Sequence, residues 1–175
     1  MRNMAIWRAA LCGITLLLAG AAATAQQNNA DQPPAQPPVN SWTINCASAG
    51  DVNALDCLMS QSLTEAKTGQ RVLTITIRRQ PDTKYALVLM LPHGIYLPAG
   101  VSYSIDGKEK AAATIQTADQ NGSYAVVPME VALVKALKAG TRLDVGVETA
   151  QRQPLVLPIS LTGFSATYDK LVTMN

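Results

Sequence analysis

The sequence predicts an all-β domain, an antiparallel β-sandwich or flattened barrel of about nine strands with one short helix. Three observations lead to this fold class. Apolar and polar residues alternate along several segments, Leu73–Ile77 among them, as they do in strands with one buried face. Short clusters of Gly, Pro, Asn and Asp separate those segments and mark turns. Only one segment has the composition and end signals of a helix.

Residues 1–25 are expected to be a signal peptide. Arg2 and Arg8 give a basic start, residues 9–23 are apolar and uncharged, and Ala-Thr-Ala at 23–25 fits the small-residue site that signal peptidase cuts. The apolar run is shorter than the roughly 20 residues of a membrane-spanning helix. We therefore expect export, with cleavage before Gln26.

Residues 26–40 are expected to form a disordered tether rich in Pro and Gln. This segment has four prolines, many amide side chains and no apolar periodicity, so it cannot bury a core. The remaining segment, 41–175, is long enough for one domain with its own core. We therefore expect a single β-domain after the tether.

Strands are expected throughout the domain. Alternation predicts strands around Trp42–Cys46, Leu73–Ile77, Val101–Ile105 and Leu143–Val147. Tyr85–Leu91 is apolar throughout and too short for a buried helix, which predicts a central strand buried on both faces. Asp106-Gly107, flanked by alternating residues, is the strongest two-residue hairpin signal in the chain.

One helix is expected at Glu130–Ala139. This segment is rich in helix formers, has Lys135 and Lys138 near its end, and is followed by Gly140 as a C-terminal cap. The closing segment, 163–171, is compatible with one helical turn or an edge strand.

The charge balance gives no support for nucleic-acid binding. The full chain has 14 Lys and Arg and 12 Asp and Glu. Loss of residues 1–25 removes Arg2 and Arg8 but no acidic residue, which leaves 12 charges of each sign. Nucleic-acid binders typically gather a basic excess on one face. We expect no nucleic-acid partner.

The cysteines predict one disulfide. Cys12 is expected to leave with the signal peptide, so Cys46 and Cys57 remain in an oxidising compartment, an even number that fits one bridge. A metal pair and a redox couple are the alternatives. Two sulfurs without a nearby His or further Cys make a poor zinc site, and the spacing is far wider than that of Cys-x-x-Cys motifs.

No catalytic constellation is evident. The chain's single histidine, His93, lies between Pro92 and Gly94 in a turn, where we expect exposure to solvent. No Gly-x-Ser-x-Gly or nucleotide-binding glycine motif occurs. We therefore expect no enzymatic activity, no catalytic residues and no cofactor.

Three pairs of acidic residues could act as paired catalysts, and one loop has residues typical of metal ligands. The pairs are Asp51 with Asp56, Asp106 with Glu109, and Asp144 with Glu148. Each is explained more simply by a turn or a solvent-facing strand position. Residues 119–122 resemble part of a calcium loop but lack the later glutamate, and we expect a hairpin tip there and no metal site.

Several motifs together are similar to those of the invasion-associated locus B family of proteobacterial envelope proteins. They are Trp42-x-x-x-Cys46, Cys57 followed by Met59-Ser60-Gln61, Gln70-Arg71-Val72-Leu73, Leu91–Val101, Met129–Gly140 and Pro158–Phe164. The resemblance extends over about Ser41–Leu171. Family members usually carry a second cysteine pair, and in this chain Ala118 and Ser123 stand at those two positions.

The resemblance implies a noncatalytic exported envelope protein that contributes to host-cell invasion or adhesion through protein contacts. Its expected location is periplasmic, outer-membrane or surface-associated after signal cleavage, with peripheral contact to the outer membrane. The expected partner is a protein of the envelope or of the host-cell surface. The alternative is a periplasmic housekeeping module that binds a small apolar or peptide ligand. A deep apolar cavity would favour the alternative, and a filled core with an exposed apolar patch would favour protein contacts.

Overall fold

The computed structural model describes residues 41–48, 55–82 and 84–174, so the predicted signal peptide and tether lie outside the described residues. These residues form ten strands, two α-helices and a short 3₁₀ helix at Leu97–Ala99. In chain order the strands are β1 (Thr43–Ser48), β2 (Leu55–Thr64), β3 (Arg71–Arg79), β4 (Tyr85–Leu91), β5 (Val101–Ile105), β6 (Ala111–Ala113), β7 (Ile115–Asp119), β8 (Gly122–Pro128), β9 (Arg142–Glu148) and β10 (Pro154–Ser160). The helices are α1 (Val131–Ala139) and α2 (Phe164–Met174).

The strands form two antiparallel sheets. The larger sheet has the order β1-β2-β3-β4-β8-β7, and the smaller has the order β10-β9-β5-β6. One cluster of buried apolar side chains draws on both sheets and both helices. This arrangement confirms the predicted antiparallel β-sandwich.

The predicted turn at Asp106-Gly107 is present between β5 and β6. Asp106 and Gly107 both have positive φ, at 52° and 68°, and the N–H of Lys108 donates to the carbonyl of Ile105 at 3.1 Å. A turn with two consecutive positive φ angles matches the right-handed twist of the flanking strands, which is why Asp-Gly favours it.

Helix α1 matches the predicted helix. The structure also has a second helix, α2, where the sequence predicts only one helical turn or an edge strand. Phe164, Tyr168 and Leu171 are buried and are spaced as i, i+4 and i+7, so they lie on one helical face. That face packs into the core, which makes a full helix more favourable than a single turn or an edge strand. Gly163, with φ of 81°, directs the chain into this helix.

The prediction for β4 was wrong in one respect. Leu87, Leu89 and Leu91 are buried in the core, but Val88 and Met90 on the opposite side are only half-buried. β4 is central within its sheet, between β3 and β8. Because β4 is central, it pairs with a neighbouring strand on each edge. Among the described residues, no second layer covers the outer side of the sheet, so only one face of β4 is fully buried.

Candidate functional site

The disulfide predicted from the cysteine count links the first two strands. Cys46 and Cys57 lie directly opposite each other in β1 and β2, with an S–S distance of 2.04 Å and a Cα–Cα distance of 4.0 Å. Cys57 is buried, whereas Cys46 is exposed. Both sulfurs are used in the bridge, so the structure favours a structural disulfide over a metal pair. The bridge fastens β1, an edge strand, to the rest of the sheet.

The two positions at which the resemblance places a second cysteine pair are also opposite each other. Ala118 in β7 pairs with Ser123 in β8. Ser123 is only 2% exposed and Ala118 is exposed, which repeats the buried and exposed arrangement of Cys57 and Cys46. β7 is the opposite edge strand of the same sheet. The alignment of Ala118 and Ser123 with a cysteine pair is therefore geometrically consistent.

Ala118→Cys combined with Ser123→Cys is expected to form a second disulfide in air, because directly paired residues of neighbouring strands have the short Cβ separation that a disulfide needs. Closing so short a loop should raise the free energy of unfolding by about 2 kcal/mol. Intact mass and denaturation with and without reductant would measure both effects. Thr117→Cys with Ser123→Cys is the matched control, because Thr117 pairs with Tyr124 and lies one residue out of register. Equal oxidation of both double variants would contradict the register.

His93 occupies the exposed turn that the sequence predicts. Its Nε2 lies 3.4 Å from the carbonyl oxygen of Gln120, at the tip of the β7–β8 hairpin. In that tip, Asp119 accepts hydrogen bonds from the N–H of Asn121 at 2.7 Å and from the hydroxyl of Tyr124 at 3.0 Å. These hydrogen bonds, that from Asn121 above all, hold the pKa of Asp119 below its ordinary value. The predicted hairpin tip is thus confirmed, and the contact of His93 is to a backbone carbonyl.

Of the acidic residues paired from the sequence, Asp106, Asp144 and Glu148 have structural partners, and Asp51 lies outside the described residues. Asp106 accepts from the hydroxyl of Thr141 at 2.7 Å and from the N–H of Arg142 at 2.9 Å, and these donors lower its pKa. The carboxylate thereby joins the β5–β6 turn to the start of β9. Asp144 pairs with Arg142 at 2.9 Å, and Glu148 lies 3.6 Å from Arg152. Within the described part of the chain, no group of three or more His, Cys, Asp or Glu residues is placed to hold a metal ion.

A continuous surface of uncharged residues lies on the side of the larger sheet away from the core. We call this surface the outer face, defined as Ser60, Ser62, Thr74, Thr76, Val88, Met90, Tyr124 and Val126. The strand registers place these residues in two adjacent rows that run across β2, β3, β4 and β8. All eight are half-buried. The sequence shows which residues alternate outward, but only the pairing of strands shows that they form one continuous surface.

Two grooves in the described residues are weaker candidates for the functional site than the outer face. A groove of about 510 Å³ at one end of the outer face is lined by Gln80, Tyr85, Val126, Pro128 and Met129, among others. A second groove, of about 590 Å³, lies along α1 beside Tyr168 of α2. Both are open to solvent, while the apolar cluster fills the space between the sheets. This arrangement favours a contact surface over a ligand site between the sheets.

Comparisons with known proteins agree with this fold. The family model described as invasion associated locus B (IalB) protein matches residues 42–172. Two relatives, invasion protein B homologues of Brucella abortus strain 2308 and of Brucella abortus biovar 1 strain 9-941, are each 35% identical over 159 residues, which is 90% of this chain and 85% of theirs.

A solved structure has the same architecture. The crystal structure of invasion associated protein B from Bartonella henselae matches with a TM-score of 0.67 and 25% sequence identity, over 75% of this chain and 90% of that one. Within the described residues, no helix has the length and apolar character needed to span a membrane. The match of the family model over most of the domain and the extent of the similarity to both relatives show that this chain belongs to the invasion-associated locus B family.

Proposed function

We propose that this protein is a noncatalytic exported envelope protein that contributes to host-cell invasion or adhesion by binding another protein through the outer face. The observation that carries the proposal is an uncharged, half-exposed sheet surface beside a core that is already filled. Contiguous surfaces of this kind are typical of protein contact sites. Relatives named for invasion supply the biological context.

The residues of the outer face suit recognition of a protein. Val88 and Val126 are paired neighbours on β4 and β8, and together with Met90 and Tyr124 they form the apolar half of the face. In the other half, on β2 and β3, the hydroxyls of Ser62 and Thr74 share a hydrogen bond of 2.8 Å. Apolar area supplies binding free energy, while hydroxyl groups at its margin exchange hydrogen bonds with a partner. None of the eight residues that define the surface is charged, so a partner that covers these residues alone buries no unpaired charge.

The proposal of a noncatalytic role rests on the chemistry of the described side chains. His93 contacts a backbone carbonyl, both cysteines of the domain are bridged, and Asp106, Asp144 and Glu148 have structural partners. A disulfide in a short edge hairpin suits an oxidising compartment, in keeping with a periplasmic, outer-membrane or surface location. The partner would be a protein of the envelope or of the host-cell surface, reached from a position peripheral to the outer membrane.

Val88→Lys combined with Val126→Lys is expected to abolish rescue of host-cell entry in a deletion strain, because two ammonium groups would have to be buried in the apolar half of the contact. Both positions are half-buried on an outer surface, so the long side chains can reach solvent and the domain should remain folded. Entry assays at matched protein level, with unfolding curves of the purified variants, measure the effect.

The control places the same two charges elsewhere. Ala150→Lys with Ala166→Lys changes exposed positions in the β9–β10 turn and on α2, away from the outer face, and should rescue fully. His93→Ala should also rescue fully. Normal entry with lysines at 88 and 126 would refute the contact surface, and loss of entry with His93→Ala at normal protein level would refute the noncatalytic role.

A further inference from the structure

We propose that the free edge of β1 pairs antiparallel with β1 of a second copy of this chain, so that the larger sheets of two subunits join into one. In the described structure, β1 hydrogen-bonds only to β2 and forms one margin of its sheet. Residues 45–48 of this strand are exposed.

The spacing of Cys46 and Cys57 shows which backbone groups point outward. In antiparallel sheets, residue pairs that do not exchange hydrogen bonds have Cα atoms about 4.5 Å apart, whereas hydrogen-bonded pairs are about 5.5 Å apart. The distance of 4.0 Å assigns Cys46 to a pair without hydrogen bonds. Its N–H and C=O therefore point away from β2. Because strand geometry repeats every two residues, those of Ile44 and Ser48 do the same.

The free edge of β1 lacks the features that usually prevent strand addition. Natural edge strands are shortened, bulged, charged or interrupted by proline. β1 spans six residues and contains no proline, charge or register shift. The other three edges in the described sheets are protected. β10 contains two prolines, β7 has a register shift and ends in Asp119, and β6 has three residues.

These features favour a second copy of this chain as the partner that pairs with the free edge of β1. Because β1 is the one unprotected edge among the described strands of each subunit, self-pairing about a two-fold axis uses both open edges and forms a closed dimer. The strand is uncharged, so two copies meet without repulsion. A register centred on Cys46 uses all three outward residues and places Ile44 opposite Ser48 of the partner subunit. Such an interface is smaller than the roughly 800 Å² per partner of stable complexes, so dimerisation should depend on concentration.

Hydrogen exchange on the full mature protein distinguishes this interface from any other. Sedimentation velocity from low micromolar to near-millimolar concentration should show a monomer that converts to a dimer. Over the same range, exchange of the Ile44 and Cys46 amides should slow by roughly tenfold or more, because they become hydrogen-bonded only in the dimer. The amides of Asn45 and Ala47 already point towards β2 and should change little. A monomer at every concentration, or a dimer without this alternating protection, would overturn the proposal.

Charged substitutions on β1 give a second test, which compares two oppositely charged variants and their mixture. Asn45→Lys with Ala47→Lys should remain monomeric, as should Asn45→Glu with Ala47→Glu, because like charges would lie side by side. An equimolar mixture of these two variants should restore a dimer of one copy of each. Gln116→Lys with Ala118→Lys on β7 is the matched control and should dimerise as the unmodified protein does. Dimers formed by either variant alone, or no dimer from the mixture, would count against β1 pairing.

Discussion

Phe164→Ala is expected to lower the free energy of unfolding by about 3 to 5 kcal/mol, the range for removing a buried aromatic ring. Phe164 is fully buried at the start of α2. Its ring meets that of Trp42 edge-on at 5.2 Å between centroids and stacks on that of Tyr168 at 5.7 Å. Its loss would leave a cavity that the neighbouring rings can fill only in part, and would weaken the docking of α2 on the sandwich.

Urea denaturation followed by tryptophan fluorescence would measure this change, since Trp42 contacts the ring that is removed. Val172→Ala is the matched control, because Val172 lies on the same helix but is 43% exposed. It should change the free energy of unfolding by no more than about 0.5 kcal/mol. Equal effects of the two substitutions would show that α2 does not pack as described.

The same helix shows where sequence reasoning reaches its limit. α1 is evident from its helix-forming residues and its terminal glycine, but α2 contains Ser165, Thr167 and Tyr168, which favour helices only weakly. Most helical stability in proteins comes from the packing of an apolar face. The face of α2 has a partner only once the sandwich has formed, so the sequence alone is compatible with either a helical turn or an edge strand.

Local sequence patterns predict the strands and turns. The candidate contact surface can be recognised only when the order of the strands in the sheet is known. The alternation of Leu73, Ile75 and Ile77 and the Asp106-Gly107 turn depend on neighbouring residues, and the structure confirms both. The outer face depends on β8 pairing with β4 across the intervening β5, β6 and β7. No local pattern encodes that pairing, so the adjacency of Val88 and Val126 could not be predicted.

The family resemblance supplied one long-range relation that local patterns did not. It placed Ala118 and Ser123 at the positions of a cysteine pair, and the structure sets the two residues opposite each other in β7 and β8. The larger sheet is thus bridged at its β1 edge and lacks a bridge at its β7 edge. Two bridges would fasten both edges of the sheet, whereas this chain relies on hydrogen bonds and packing to hold β7.

Removing the existing bridge by Cys46→Ser with Cys57→Ala is expected to lower the free energy of unfolding by about 2.8 kcal/mol in the chain-entropy model, within the roughly 2 to 5 kcal/mol seen for native bridges. The replacements follow the environment of each residue. Serine suits the exposed position 46, and alanine avoids placing a hydroxyl at the buried position 57. Chemical denaturation of the oxidised protein and of the variant would measure the difference.

The consequences of this loss should be concentrated in β1. β2 pairs with strands on both sides, whereas β1 has only β2, so β1 should fray first when the bridge is absent. Hydrogen exchange should therefore quicken more at Asn45 and Ala47 than in β3 or β4. The unmodified protein in reductant is the control and should match the variant in stability. A variant as stable as the oxidised protein would mean that the bridge does not constrain the unfolded chain, and uniform loss of protection would mean that β1 is not the region it secures.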